Sequence, residues 1–314
     1  MEDVSCEKLS WAIQEAKKNI GKNKTYDVCN KRGEIKKLTF KTNSILGRGT
    51  FGVVSEIVNS DGQKLALKTV YQDIKYCNRE LDILLEIEHP NIVNLSSYFY
   101  TEFTKLGCYL NLCFDFIPLT LDELIKKKEI SVEIIKKLYS QALSALEYLH
   151  SLSICHRDIK PTNILIDSNM NLKICDFGSA KYLTADSENI SYVCSRYYRA
   201  PENLLGSRIY TTKIDVWALA LSFCEFRLDE PLFKGKNTED MLQKILKKIS
   251  VEDSFLAQFN FLKPENLSKF NLEKFIYDRF KNKELTNVIC NSLVFDPSLR
   301  VSAKELNQFF NHIH

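Results

Sequence analysis

The feature that most constrains this chain is a change of period near Leu121. From Phe40 to that point, apolar residues come in short alternating or clustered runs separated by turns such as Asn59-Ser60-Asp61-Gly62. The runs KLTFKTNSILGRGTFGVVSEIV, QKLALKTVY, IVNLSSYFYTE and CYLNLCFDFI read as strands, and CNRELDILLEIE reads as one helix among them. Beyond Leu121 the helical period takes over in LDELIKKK, VEIIKKLYSQALSALEYLHSL, DVWALALSFCEF, TEDMLQKILKKI and LTNVICNSLV. Such a chain is expected to be α+β, with a small, mainly β region carrying one helix, then a larger, mainly helical region. There is no internal repeat and no low-complexity tract.

Composition removes several function classes. With 314 residues, 45% of them hydrophobic, the chain can bury one or two ordinary cores. A net charge of +3 argues against a general nucleic-acid binder. No apolar run approaches the roughly 18 residues of a membrane span, so no membrane partner is expected. Met1 to Ser10 carries charges but no apolar stretch of signal-peptide type. The ten cysteines (Cys6, Cys29, Cys77, Cys108, Cys113, Cys155, Cys175, Cys194, Cys224 and Cys290) form no Cys-x-x-Cys pair. They read as reduced thiols of an intracellular protein, cytoplasmic and also nuclear, most of them small core hydrophobes. Residues 1–39 stand apart. Leu9, Ala12, Ile13, Ala16 and Ile20 share helical spacing, Gly21 is a natural stop, and Lys22 to Lys37 is polar and basic. The expectation is an amphipathic helix followed by a basic loop, the helix either capping the main domain or binding a partner.

Four segments carry chemistry. Gly47-Arg48-Gly49-Thr50-Phe51-Gly52-Val53-Val54 is a glycine-rich turn. Glycines let a backbone approach phosphates and offer unobstructed N–H donors. A dinucleotide fingerprint would need a helix straight after the turn, whereas VVSEIV looks like a strand. Lys68 closes an apolar strand, where an unpaired ammonium is costly. Its anion is either Glu80 on the next helix or the phosphates of ATP, the alternative being a surface lysine with only its stem buried. In His156-Arg157-Asp158-Ile159-Lys160-Pro161-Thr162-Asn163, a carboxylate, an ammonium and an amide fall within six residues of a proline-punctuated loop. Phosphoryl transfer needs a carboxylate for the hydroxyl, a cation for the phosphate and oxygen ligands for Mg²⁺. Asp158, Lys160 and Asn163 supply them. Asp176-Phe177-Gly178 follows the apolar NLKIC, and an aspartate there suits Mg²⁺.

Together with Ala200-Pro201-Glu202 and Asp215-Val216-Trp217, these segments stand in the order of the eukaryotic protein kinase signatures, and about Phe40 to His312 resembles that family. The resemblance implies a bilobal kinase fold: an N-terminal extension at 1–39, a small lobe with its hinge at 40–117, and a large lobe at 118–314. It implies a serine/threonine kinase that uses ATP and Mg²⁺ on protein substrates. Lys68, Glu80, Asp158 and Lys160 would be catalytic, with Asn163 and Asp176 on the metal. Leu46, Gly47, Arg48, Gly49, Thr50, Phe51, Gly52, Val53, Val54, Ala66, Lys68, Phe114, Asp115 and Ile117 would bind the nucleotide, with Phe114 at the gatekeeper position. Glu202 and Arg300 resemble the family's buried ion pair. Within the family, LKICDFGSAK, SYVCSRYYRAPE and QDIKYCNRE are similar to the glycogen synthase kinase 3/shaggy subfamily of the CMGC group. Tyr192 matches its activation-loop phosphotyrosine, with Arg196 and Arg199 as partners. Arg79, Arg157 and Lys181 match residues that accept a phosphate already present on the substrate, four residues C-terminal to the target. A helical stretch around 236–285 resembles the CMGC insert.

Some positions depart from the pattern. Thr162 stands where Gln is usual, and Ala220 where Gly is usual. SFLAQFNFLKPENLSKFNLEKF has little likeness to the segment that binds axin-type scaffolds, which puts that partner in doubt. The Arg-rich serine motif of phospho-inhibited members is missing. Two other readings remain: a cyclin-dependent-like CMGC kinase, against which the Arg79, Arg157 and Lys181 set speaks, and a pseudokinase scaffold, against which Lys68, Asp158 and Asp176 speak.

Overall fold

The computed structural model describes residues 2–49, 52–73, 75, 77–102, 107–184, 188–228, 230–259 and 270–311, the side chains of 2–8 and of Asn311 apart. The chain divides into two compact units. One holds residues 1–89 and 93–117, the other 90–92 and 118–314.

The first unit opens with α1 (Glu2–Asn19), then β1 (Asn23–Cys29), β2 (Ile35–Gly49), β3 (Gly52–Asn59), β4 (Lys64–Asp73), α2 (Arg79–Glu86), β5 (Leu95–Thr101) and β6 (Gly107–Asp115). The strands close a barrel in the order β1-β2-β3-β4-β6-β5, with Cys29 opposite Tyr98 at the closure. Side chains alternate between faces of a strand. Val28, Phe40, Ile57, Leu65, Leu67, Phe99 and Cys113 therefore meet inside as one core. The basic stretch from Lys22 to Lys37 differs from expectation. Its ends are strands: β1 pairs with the first half of β2, from Asn23 opposite Lys41 to Cys29 opposite Ile35. Tyr26 and Val28 are the apolar residues on the inward face of β1, which Lys24 shares through its bond to Glu15. Tyr26 stacks on Phe99 at 4.6 Å, which suffices to seat a strand whose outer face is charged. Ile20 also departs from expectation. It lies past the end of α1, exposed, bridged to Thr42 on β2. Gly21 at φ +80° turns the chain there.

The second unit contains β7 (Leu119–Thr120), α3 (Leu121–Lys126), α4 (Val132–Ser151), β8 (Ile154–Cys155), β9 (Ile164–Ile166), β10 (Leu172–Ile174) and β11 (Lys181–Tyr182). There follow α5 (Pro201–Leu204), α6 (Lys213–Cys224), α7 (Thr238–Leu246), α8 (Asp253–Ala257), α9 (Leu272–Phe280), α10 (Lys283–Ser292) and α11 (Ala303–Asn311). Helices start where polar caps permit. Thr120 and Glu123 form a reciprocal capping box for α3, and Ser131 caps α4. Helix α6 is buried from Ile214 to Cys224, a central element wrapped by others on every side. The insert around 236–285 is helical in α7, α8 and α9, while 260–269 lies outside the described residues. Among the described residues no helix is long and apolar enough to cross a membrane.

One ion pair pins α5 to the segment before α11. Arg300 donates through Nη1 and Nη2 to the two oxygens of Glu202, at 2.8 and 2.9 Å, and both side chains are buried. Arg300 also donates to the carbonyls of Val294 and Phe295, so its charge is well solvated by the protein. Removing one partner of such a pair strands the other. Arg300→Ala is expected to lower stability by about 3–5 kcal/mol, measured as a fall in the urea midpoint. Arg300→Lys should recover little, because an ammonium cannot fork onto both oxygens. A loss below about 1 kcal/mol for the alanine variant would contradict this role.

Candidate functional site

In the first unit, β2 and β3 form a hairpin whose register runs from Gly47 opposite Val54, through Arg48 opposite Val53, to Gly49 opposite Gly52. Its tip, Thr50 and Phe51, lies outside the described residues. The segment after the glycines is a strand, which removes the dinucleotide-fingerprint reading. A Cβ on Gly52 would stand 2.2 Å from the Thr69 carbonyl oxygen, so that glycine is required by the fold. At Gly47 and Gly49 a Cβ would meet nothing within 4 Å. On β4, Ala66 lies opposite Phe114 of β6, and Lys68 opposite Leu112. Lys68 is buried and donates to Glu80 Oε1 at 2.6 Å, so it is not a surface lysine. Glu80 sits in the first turn of α2, capped by Asn78 accepting from the Leu81 N–H at 3.1 Å. Arg79, one residue earlier, is exposed. Leu46 is also exposed, Asp115 ends β6 on the surface, and Ile117 is half-buried.

In the second unit, the loop after β8 is organised by a buried carboxylate. Asp215 of α6 accepts the backbone N–H groups of His156 at 2.8 Å and of Arg157 at 2.9 Å, and lies 3.1 Å from His150 Nε2. Burial pushes the Asp215 carboxyl up. Its contact with His150 and its bond from the His156 N–H outweigh this and hold it below its ordinary value. Two N–H groups in succession can converge on one carboxylate because Arg157 takes a left-handed φ of +63°. His156 Nδ1 accepts the Asp158 N–H at 3.3 Å, which leaves the ring proton on Nε2, directed at the Cys175 carbonyl at 3.0 Å. The Cys175 N–H donates to the Asn163 carbonyl. Asp176 follows with φ +63°. The segments bearing Asp158, Asn163 and Asp176 are thus tied together through the His156 ring and the Cys175 main chain.

The Asp158 carboxylate is held on both oxygens. Lys160 Nζ donates to Oδ2 at 2.7 Å and Asn163 Nδ2 to the same oxygen at 3.0 Å. Ser195 donates to Oδ1 through its hydroxyl at 3.0 Å and its backbone N–H at 3.2 Å. The Ser195 hydroxyl also receives Lys160 Nζ at 3.2 Å. Sequence reading missed Ser195, since a lone serine inside SYVCSRYYRAPE carries no signal of its own. Only folding brings it back 37 positions to Asp158.

The segments bearing Arg157 and Lys181 run side by side, because β8 pairs with β11 and sets Lys181 opposite Cys155. Arg157 Nε donates to the Ser179 carbonyl at 2.7 Å and Nη1 to the Tyr210 hydroxyl at 3.2 Å, while Lys181 Nζ donates to Asn189 Oδ1. They are therefore hydrogen-bonded to neutral oxygens, not bare. Tyr192 is 67% exposed. Its ring lies 3.8 Å from the Arg199 guanidinium, and Arg196 and then Arg199 pull its phenol below the ordinary value. Arg199 braces the same segment by donating to the carbonyls of Val193 and Cys194. Among the described residues no group of three or more His, Cys, Asp or Glu could hold a metal. Asn163 with Asp176 offers an amide and a carboxylate oxygen. That fits Mg²⁺, which takes few protein ligands and completes its shell with water and phosphate.

The family model of the protein kinase domain matches residues 40–310. The chain belongs to the protein kinase family. It is 45% identical over 285 residues to the probable serine/threonine-protein kinase MRK1 homolog of Encephalitozoon cuniculi, covering 90% of each chain. It is 37% identical over 302 residues to protein kinase gsk3 of Schizosaccharomyces pombe, covering 90% of this chain and 76% of that one. It is also 42% identical over 229 residues to glycogen synthase kinase 3 of Trypanosoma brucei brucei, covering 68% and 64%. Within the family it is a serine/threonine kinase of the glycogen synthase kinase 3 type in the CMGC group, and its substrates are proteins. Use of ATP with Mg²⁺ goes with that family.

The Ser195 contacts define a prediction. Hydrogen bonds to a charged partner contribute about 1.5–3 kcal/mol. Ser195→Ala, losing the hydroxyl that joins Asp158 to Lys160, should lower kcat roughly ten- to hundredfold with little change in KM for ATP. Unchanged kcat would remove Ser195 from the catalytic arrangement.

Proposed function

We propose that this kinase phosphorylates Ser and Thr hydroxyls in proteins that already carry a phosphate four residues C-terminal to the target. Asp158 orients the attacking hydroxyl and accepts its proton. Lys160 contacts the γ-phosphate, and Lys68, held by Glu80, contacts the α- and β-phosphates. Asn163 and Asp176 hold Mg²⁺. When bound, the cation neutralises charge on the β- and γ-phosphate oxygens. Gly47 to Val54 covers the nucleotide, with Leu46, Ala66, Phe114, Asp115 and Ile117 around the adenine. At Gly47 and Gly49, which no neighbour in the protein requires to be glycine, the small residue suits the close approach of a phosphate.

Arg79, Arg157 and Lys181 receive the priming phosphate in this reading. The observation that carries it is the pairing of Lys181 opposite Cys155, with Arg157 bonded to the Ser179 carbonyl, which runs the two segments bearing these cations side by side. A dianionic phosphate is the natural complement of two cations on adjoining segments. Tyr192 is phosphorylated in the working enzyme, its phosphate taken by Arg196 and Arg199, which already lean on the phenol. An axin-type scaffold is not part of the proposal.

A Ser-x-x-x-Ser peptide and its phosphorylated form separate the possibilities. The phosphorylated peptide should show a kcat/KM higher by one to two orders of magnitude, most of it lost in Arg79→Ala. Asp158→Asn should be nearly inactive on both peptides. No gain from the phosphate, or a gain undiminished in Arg79→Ala, defeats the priming assignment. For Tyr192, mass spectrometry of the active recombinant enzyme should find a phosphate. Full activity with an unmodified tyrosine would exclude a requirement for it.

A further inference from the structure

We infer that helix α1, through Trp11, positions the β2–β3 hairpin and thereby sets the affinity of the enzyme for ATP. The inference rests on the reading that Gly47 to Val54 covers the nucleotide. The barrel core does not extend to the hairpin. That core gathers around Val28, Phe40, Leu67 and Phe99, whereas Val53 belongs to a separate cluster with Ala12 and Tyr109. Between the two lies a cavity of about 60 Å³ lined by residues of both clusters together with polar groups such as Glu15, Thr42, Ser55, Thr69 and Asn111. The root of the hairpin therefore takes apolar support from α1. Trp11 stacks on Tyr109, ring centroids 4.0 Å apart and planes at 24°, and Tyr109 meets Tyr71 edge-on at 5.6 Å. Ile13 and Ala16 pack on the same cluster, which Ile45 joins from β2.

Both strands of the hairpin are rooted here, by Ile45 two residues before Gly47 and by Val53 one residue after Gly52. Strand β2 needs the support, because its register against β3 shifts twice, between Thr42 and Ser44 and between Ile45 and Gly47. Irregularities of this kind bend a strand and weaken its ladder locally. The end of α1 clamps the first of them: the Gly21 N–H donates to the Thr42 carbonyl at 2.9 Å beside the Ile20–Thr42 bridge. Trp11 is a positioning residue, acting on the nucleotide through the strands it packs against.

The test uses the full chain with Trp11→Ala and Trp11→Phe. An aromatic stack contributes enough that the alanine variant should raise KM for ATP about three- to tenfold. KM for a fixed peptide should stay level, and the phenylalanine variant should recover most of the loss. A helix that only stabilises the fold would act differently. Its loss would lower the active fraction, and so kcat, with KM for ATP unchanged, and that result overturns the inference. Ile13→Ala, a smaller deletion against the same cluster, serves where Trp11→Ala does not fold. It should move KM for ATP in the same direction, and an unchanged value counts equally against the inference. Val54→Ala probes the hairpin directly. A raised KM for ATP in Val54→Ala with none in Trp11→Ala defeats the role of α1 and leaves the nucleotide reading standing. No rise in either defeats both.

Discussion

The arrangement of the second unit depends on the carboxylate of Asp215. It is wholly buried, and it is kept ionised by what surrounds it: two consecutive main-chain N–H groups, His150 and the Cys155 thiol. A buried charge is tolerable only when its lone pairs are filled. Filling them dictates the path of the chain through His156 and Arg157, and it holds Arg157 in a backbone region that non-glycine residues rarely occupy. From that anchor the order passes outward. His156 links Asp158 to Cys175, and Cys175 links back to Asn163. Three residues from two separate loops are thereby aligned with few side-chain degrees of freedom left.

The charged residues around this anchor divide into two kinds. Glu202 with Arg300, and Asp215 with its donors, have every partner supplied by the protein and serve to hold segments together. Lys160 is paired with the Asp158 carboxylate and also donates to the Ser195 hydroxyl, while Arg157 and Lys181 donate to a carbonyl and an amide oxygen. Groups of the second kind are held in a fixed direction by hydrogen bonds, which pre-organises a cation. Lys68 is intermediate. Its pairing with Glu80 relieves the cost of burying an ammonium and fixes its direction on β4.

The N-terminal extension is also more integrated than its composition suggests. Lys22 to Lys37 reads as a solvated basic loop because charge outnumbers apolar residues. A barrel-closing strand, however, needs only one inward face. Tyr26 and Val28 provide it, while Lys24 on the same face pairs with Glu15 of α1 and Lys31 donates to the Ile87 carbonyl. Trp11 falls outside the helical stripe of Leu9, Ala12, Ile13, Ala16 and Ile20, yet it stacks on the ring of Tyr109 at 4.0 Å.

The sequence by itself determined the class. The switch of period near Leu121, the Asp158 to Asn163 loop and the order of the short signatures are local patterns, and local patterns need only neighbouring residues to be legible. Helices α3, α4, α6, α7 and α10 were visible for the same reason, as was Lys68 as a strand lysine in need of an anion. Tertiary structure decided what depends on contacts between distant positions. It chose Glu80 as the protein partner of Lys68, set Lys181 opposite Cys155 through a two-residue ladder, closed the barrel with β1, and returned Ser195 to Asp158. None of these could be read from spacing, because each is selected by the burial of surrounding apolar residues, and that free energy is a property of the assembled core rather than of any segment within it.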